Sequence, residues 1–91
     1  MVGEPFSPTK AKAMIVEIVT TGGGVSFGVH ALDEMAKDDL SIVDAKNVLK
    51  GGVVQPAEME KGTWRYRVRT SRMLFVVAFR TARKLAVVTA P

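Results

Sequence analysis

The arginines of residues 64–69 are the side chains whose spacing best suits anion binding. The segment reads Trp-Arg-Tyr-Arg-Val-Arg, so Arg65, Arg67 and Arg69 alternate with two aromatic residues and a valine. In a β-strand successive side chains point to opposite faces, so the three arginines share one face about 6–7 Å apart. This is close to the distance of about 6–7 Å between phosphates of an extended single strand. Because unpaired guanidinium groups are too costly to bury, we expect the arginine face to be open.

The uneven distribution of charge along the chain favours the same interpretation. All nine Asp and Glu residues lie within residues 1–60, where five Lys leave a formal charge of −4. Residues 61–91 contain eight Lys and Arg and no carboxylate, so their formal charge is +8. A cationic segment with no acid expected nearby predicts a surface for a polyanion, above all nucleic acid. The residues predicted to bind RNA beside Arg65 and Arg67 are Arg69, Arg72, Arg80, Arg83 and Lys84.

A structural role for the arginines is the alternative. Arginine rows are common on exposed strands, where they are solvated and discourage pairing between sheet edges.

His30 is the second candidate for chemistry because it is the single histidine of the chain. Its unperturbed pKa of about 6.5 suits a general acid or base near neutral pH. The pattern places it where a strand passes into a helix, and the alternative there is a capping or core-edge histidine. Tyr66 adjoins the arginines, but strand alternation places it with Trp64, which favours core packing for both aromatic residues.

Length and composition restrict the class of protein. The 91 residues are predicted to form one domain, and an apolar fraction of 47% suffices for one modest core. The absence of cysteine and the single histidine exclude disulfides, thiol nucleophiles and a zinc site with several histidines, so no metal or cofactor is predicted. No secretory signal is recognised, and no apolar run reaches the ~20 residues that span a bilayer. A soluble, cytoplasmic protein is expected.

The hydrophobic pattern predicts helices first and strands after. Ser7 and Pro8 indicate the start of a helix that ends at three glycines, residues 22–24. A short strand over residues 25–29 is followed by a helix from His30 and by another that begins at a Ser41 capping box. That helix is predicted to end in a left-handed glycine at residues 51–52. Four strands are predicted after it: 53–54, 63–69, 73–80 and 85–89. The predicted fold is α+β, with N-terminal helices packed on one face of a twisted antiparallel sheet.

The order of these motifs resembles the domain of unknown function 4258 family. The resemblance is carried by Phe27-Gly28-Val29-His30-Ala31-Leu32-Asp33-Glu34-Met35, Leu40-Ser41-Ile42-Val43-Asp44-Ala45, Val48-Leu49-Lys50-Gly51-Gly52, Gly62-Thr63-Trp64-Arg65-Tyr66-Arg67-Val68 and Leu85-Ala86-Val87-Val88-Thr89. It covers residues 25–90 and leaves residues 1–24, with the first helix, outside the family core. One departure is that Lys37, Asp38 and Asp39 stand where many members have an arginine after the methionine.

The resemblance implies a relative of the RelE and MqsR toxins, which are small basic endoribonucleases of bacterial toxin–antitoxin systems. By this resemblance the catalytic residues are His30, Arg65 and Arg67. The ribose 2′-hydroxyl would attack the adjacent phosphate, His30 would move a proton, and the arginines would stabilise the phosphoryl oxygens. The implied partners are mRNA and an acidic antitoxin. The alternative is a non-enzymatic module whose basic sheet binds an acidic protein or nucleic acid. The oligomeric state stays open.

Overall fold

Helices occupy most of the first half of the chain and strands the second half. The computed structural model describes residues 1–90, so Pro91, the last residue of the predicted domain, lies outside it. The elements within that range are α1 (Pro8–Thr20), β1 (Gly24–Phe27), α2 (Val29–Lys37), α3 (Ile42–Gly51), β2 (Val53–Val54), β3 (Glu58–Glu60), β4 (Thr63–Arg69), β5 (Leu74–Thr81) and β6 (Lys84–Thr89). The predicted α+β class is confirmed.

The starts of α1 and α3 follow from side chains that cap free backbone N–H groups. Ser7 Oγ accepts a hydrogen bond from the Lys10 N–H at 3.2 Å, as the sequence predicts. At α3, Ser41 Oγ accepts from the Asp44 N–H at 3.1 Å, and Asp44 Oδ2 accepts from the Ser41 N–H at 2.9 Å. Hydrogen bonding to Ser41 lowers the pKa of the Asp44 carboxyl group, with the larger effect from the Ser41 backbone N–H and the smaller from the Ser41 side chain. The predicted capping box is therefore confirmed.

Loss of this capping box is expected to weaken the whole domain. Ser41→Ala removes one of two reciprocal hydrogen bonds, and the free energy of unfolding should fall by about 1 kcal/mol. Urea unfolding followed through the fluorescence of the single tryptophan, Trp64, measures the change. Ser71→Ala is the control, because Ser71 is exposed and its hydroxyl forms no hydrogen bond within residues 1–90. An equal effect of both substitutions would contradict the capping role.

The glycine at the end of α3 is required by packing and not by a left-handed backbone. The C-cap residue Gly52 is extended, at φ −75° and ψ 164°, so the predicted left-handed glycine is wrong. A Cβ at this position would lie 2.7 Å from Val68 Cγ1 and 2.8 Å from the Val48 carbonyl oxygen. Only glycine therefore lets the end of α3 approach β4 this closely.

The sheet is mixed, with one parallel pair at its edge. Its strand order is β1-β6-β5-β4-β2, and β3 also pairs with β4. The pairs β4–β5 and β5–β6 are antiparallel, as predicted, whereas β1 runs parallel to β6, so the prediction of a wholly antiparallel sheet is wrong at this edge. The parallel pair arises because α2, α3 and the intervening strands separate β1 from β6 in sequence, so no hairpin constrains their direction.

The strand β3 is the element that the pattern analysis did not predict. Its residues Glu58 and Glu60 are charged, and it is held against β4 by a two-residue turn. Both turn residues have positive φ, 50° at Lys61 and 77° at Gly62. This geometry belongs to a tight hairpin that follows the twist of the strands. A glycine preceded by a polar residue just before a strand is the sequence signal that identifies this hairpin.

All three helices contribute to a single hydrophobic core on one face of the sheet. The first helix, whose place the resemblance leaves open, packs on this sheet through Ala11, Ile15 and Ile18. Phe6, from the segment before it, stacks edge-on against Phe79 at 5.6 Å between ring centroids. The strand residues of the core are Val54, Tyr66, Val68, Phe75, Val77, Phe79, Leu85 and Val87. The opposite face of β4, β5 and β6 thus remains without a helix.

Candidate functional site

The side chains of β4 divide between the core and the open face as strand alternation predicts. Tyr66 and Val68 are fully buried among the helices, and Trp64 packs half-buried against the same core. Arg65 and Arg67 point to the other side of the sheet, where their side chains are 20% and 27% exposed. The two guanidinium groups therefore lie on a helix-free surface.

Carboxylates from β3 neutralise these two arginines. Arg65 Nη1 lies 3.2 Å from Glu60 Oε2, and Arg67 Nη2 lies 3.4 Å from Glu60 Oε1. Arg67 Nη1 also forms a short ion pair with Glu58. The prediction that no acid lies near the arginine strand is therefore wrong. Its physical reason is the hairpin, which brings the last two acids of the chain beside arginines that follow them in sequence.

Arg65 is constrained more tightly than Arg67. Its Nε is buried and has no hydrogen-bond partner within residues 1–90. A buried donor without a partner costs roughly 1–3 kcal/mol, so this guanidinium is incompletely satisfied by Glu60 alone. An oxygen-rich ligand that approached from the open face would supply further acceptors for the Arg65 guanidinium.

Four further cations stand near the two ends of β5, and within residues 1–90 they have no carboxylate partner. Arg69 and Arg72 lie at the turn between β4 and β5, and Arg80 and Lys84 lie at the turn between β5 and β6. All four are exposed, and within residues 1–90 none has an acidic oxygen within 4.0 Å. The eight residues of β5 separate the two pairs by about 24 Å. The open face is thus cationic near both ends of β5. Its middle carries the charge-paired Arg65 and Arg67 on β4 and the buried apolar residues Val76 and Ala78 on β5.

Threonine side chains shape the turns that position these cations. Thr70 Oγ1 accepts hydrogen bonds from the backbone N–H groups of Arg72 at 3.3 Å and Met73 at 3.0 Å. At the other turn, Thr81 Oγ1 accepts from the Arg83 N–H at 3.2 Å. Such hydroxyl–backbone bonds stabilise tight turns.

Arg83 belongs to a different part of the surface from Arg80 and Lys84. It lines a cavity of about 680 Å³ beside α1, together with Lys10, Met14 and Glu17. Arg80 and Lys84 line a smaller cavity of about 170 Å³ on the open face. The structure therefore does not place Arg83 with the other residues predicted to bind RNA.

The structure does not bring His30 together with Arg65 and Arg67. His30 is the second residue of α2, on the side of the sheet that the helices cover, and it is exposed. The strand before it, β1, is separated from β4 by β6 and β5, a distance of about 14 Å across the sheet. The imidazole forms no hydrogen bond within residues 1–90, so it does not cap the helix either.

Tyr66 is a core residue, which confirms the preferred interpretation from the sequence. Its ring lies 5.2 Å from that of Phe79, and no part of its side chain is exposed. Its hydroxyl accepts a hydrogen bond from the Phe6 N–H at 3.0 Å and donates one to Glu4 Oε2 at 2.9 Å. Burial, together with the neighbouring Glu4 carboxylate, raises the pKa of Tyr66 to about 12. The phenol is therefore structural and does not face the arginines.

The described part of the chain contains neither a cluster of metal-ligating side chains nor a helix that could span a membrane. Within residues 1–90, no three His, Asp or Glu side chains lie close enough together to hold a metal ion. In the same range, no helix combines the length and apolar character needed to cross a bilayer.

Comparison with known proteins identifies no relative of this chain. No family model, curated protein or solved structure matches the chain at a significant level. The resemblance to the domain of unknown function 4258 family therefore stays a hypothesis that rests on the motifs alone.

Proposed function

We propose that this protein binds RNA through the open face of its sheet and does not cleave it. The observation that carries the proposal is two pairs of exposed cations near the two ends of β5, Arg69 with Arg72 and Arg80 with Lys84, which have no acidic partner within residues 1–90. Phosphates spaced about 6–7 Å apart along a single strand would reach from one end to the other in roughly four nucleotides. An RNA ligand would place the protein in the cytoplasm.

Cleavage is not part of the proposal because the predicted catalytic residues lie apart. A general acid or base must come within hydrogen-bond reach of the proton that it transfers. β1, the strand before His30, lies about 14 Å from β4 across the sheet, and His30 itself stands on α2, on the helix side. The ion pairs of Arg65 and Arg67 with β3 further reduce the positive charge available for a transition state.

An acidic protein partner is the second candidate, and one observation favours it. Glu58 and Glu60 already engage Arg65 and Arg67, so this face accommodates carboxylates presented from a neighbouring strand. A partner segment with alternating acids would repeat this contact at the free cations. The toxin-like interpretation, with an antitoxin covering the basic face, is one form of this candidate.

The decisive experiment measures RNA affinity as a function of salt. We expect the wild-type chain to bind a single-stranded oligoribonucleotide of about ten nucleotides, with a slope of log affinity against log salt near −3 for four phosphate contacts. Arg69→Gln with Arg72→Gln should make the slope shallower by about 1.4. Fluorescence anisotropy between about 50 and 200 mM salt gives both values.

A charge-matched variant on the helix side is the control for this experiment. Lys46→Gln with Lys50→Gln removes two charges from α3 and should leave the slope nearly unchanged. Equal losses in both double variants would overturn the assignment to the sheet face, and no binding at about 50 mM salt would overturn RNA binding itself. Cleavage of the oligonucleotide that His30→Ala abolishes would restore the endoribonuclease hypothesis. Binding of poly-glutamate without RNA binding would favour the acidic-protein candidate.

A further inference from the structure

The small cavity on the open face has a composition that differs from the rest of that face. Its volume is about 170 Å³, and it lies where β1, β6 and the end of β5 meet, at the edge of the sheet. Its polar side chains are Ser26, Arg80 and Lys84, and no acidic residue lines it. By contrast, the two arginines at the centre of the face are paired with Glu58 and Glu60.

Strand alternation places Ser26 and Lys84 on the side of the sheet away from the core, whereas Val25 and Leu85, which also line the cavity, belong to the core side. In β1, Val25 and Phe27 pack against the core, so Ser26 points to the open face, where it is exposed. In β5, Arg80 follows the core residue Phe79 at a β-bulge, and its exposed side chain lines the cavity. The cavity therefore opens onto the same surface that we propose for RNA.

Gly24 makes room for the lysine of the cavity. Gly24 pairs with Lys84 across the parallel strands, and a Cβ at Gly24 would lie 3.2 Å from Lys84 Cγ. The absence of this Cβ lets the lysine stem lie over β1 toward the cavity. A larger side chain at this position would displace the stem and occupy the floor of the cavity.

The charged groups of the cavity have no acidic partner within residues 1–90. Neither Arg80 nor Lys84 has an acidic oxygen within 4.0 Å, and the Ser26 hydroxyl forms no hydrogen bond, all within residues 1–90. Guanidinium, ammonium and hydroxyl groups on residues that line one space offer donors for phosphate oxygens. A guanidinium offers two parallel donors to such a group, and an ammonium adds a compact positive charge.

The volume limits the ligand to a single small group. Pockets for drug-sized ligands span roughly 300–1,000 Å³, so a cavity of about 170 Å³ is too small for a nucleoside. A phosphate monoester carries a charge of about −1.5 to −2 near neutral pH, which two cations match better than they match a singly charged diester. Because the cavity lies beside β1 at the edge of the sheet, it also suits the end of an RNA strand more than its middle.

We propose that this cavity binds a terminal phosphate monoester of the RNA that lies on the open face. The inference rests on the proposed function, since it names the part of the ligand that this end of the face recognises. It predicts a preference for phosphorylated RNA ends over hydroxyl ends. Arg69 and Arg72, the cations at the other end, are expected to contribute equally to the affinity for RNA with phosphorylated ends and for RNA with hydroxyl ends.

The test compares oligoribonucleotides of one sequence that carry a 5′-phosphate, a 3′-phosphate or hydroxyls at both ends. We expect one phosphorylated form to bind the wild-type chain about tenfold more tightly than the hydroxyl form. Lys84→Gln and Arg80→Gln should each bring this ratio close to one, and Gly24→Val should do so without a change of charge. Arg83→Gln, one residue from Lys84 in sequence but on the other cavity, should preserve the ratio.

The outcomes separate the cavity from the proposed function. RNA binding of normal salt dependence with equal affinity for all three oligonucleotides would overturn the phosphate site alone. The phosphate site is also overturned if Arg83→Gln lowers the ratio as much as Lys84→Gln does. An NMR titration with inorganic phosphate tests whether the cavity binds free phosphate or only the terminal phosphate of RNA. Shifts confined to residues 24–26 and 80–85, without binding of any oligonucleotide, would overturn RNA binding and identify a site for free phosphate.

Discussion

Tyr66→Phe is expected to lower the free energy of unfolding by about 2–3 kcal/mol at neutral pH. The substitution keeps the ring contacts with Phe6 and Phe79 but removes a fully buried hydroxyl. The Phe6 N–H then loses its acceptor, and the Glu4 carboxylate loses one donor and keeps its ion pair with the Met1 ammonium at 2.9 Å. A buried N–H without a partner is costly. Urea unfolding followed through Trp64 fluorescence measures the loss. A change below about 0.5 kcal/mol would contradict the role of these two hydrogen bonds.

The same residue makes the domain sensitive to alkaline pH. Burial raises the pKa of folded Tyr66 to about 12, above the value of about 10 in an unfolded chain. Between these values the unfolded state releases the phenol proton first, so stability falls as pH rises from about 10 to 12. At neutral pH the contribution is fully present. Two pKa units correspond to about 2–3 kcal/mol.

Titration of the single tyrosine can be observed directly through the absorbance of its phenolate. Lysines also titrate in this range, so the difference in stability between wild type and Tyr66→Phe isolates the contribution of Tyr66. A phenolate transition near pH 10 in a folded protein would show that the hydroxyl is accessible to water, against the structure.

Glu58→Gln with Glu60→Gln is expected to raise RNA affinity about tenfold at low salt and to make the salt slope steeper by about 1.4. The two carboxylates occupy Arg65 and Arg67, which lie between the cationic ends of the open face. Without them, both guanidinium groups become available to phosphates in the middle of the bound strand. Fluorescence anisotropy with the same oligonucleotide measures the gain.

An increase in net charge alone does not reproduce this effect if the open face is the site. Asp38→Asn with Asp39→Asn gives the same change, from +4 to +6, at the end of α2 on the helix side. Asparagine suits the positive φ of 54° at Asp39, so the control should fold normally. Equal gains in both double variants would show that RNA responds only to overall charge. No gain in either would show that Arg65 and Arg67 lie outside the interface.

Much of the local structure could be predicted because it depends on short-range geometry. The two-residue period of β4 places Tyr66 in the core and Arg67 on the open face, whatever the neighbouring strands are. Ser41 and Asp44 define the start of α3 because a cap needs only residues three positions apart.

Which side chains lie together in the site depended on contacts between elements that are distant in sequence or, like β3, were not predicted. Glu60 reaches Arg65 only because β3 forms a hairpin with β4, and charged residues at strand spacing are a weak signal for a strand. His30 is separated from the arginines because β5 and β6 insert between β1 and β4, which no local period encodes. Arg83 and Lys84 are neighbours in sequence, but they line different cavities because the turn before β6 directs them to opposite sides.

The sequence by itself thus determined which side chains share a face, because backbone periodicity is a property of each strand or helix alone. Only the tertiary structure decided which cations are paired, which are free and which lie near His30. The physical reason is that strand order and hairpin pairing result from burial of the whole core, to which residues from Phe6 to Val87 contribute together.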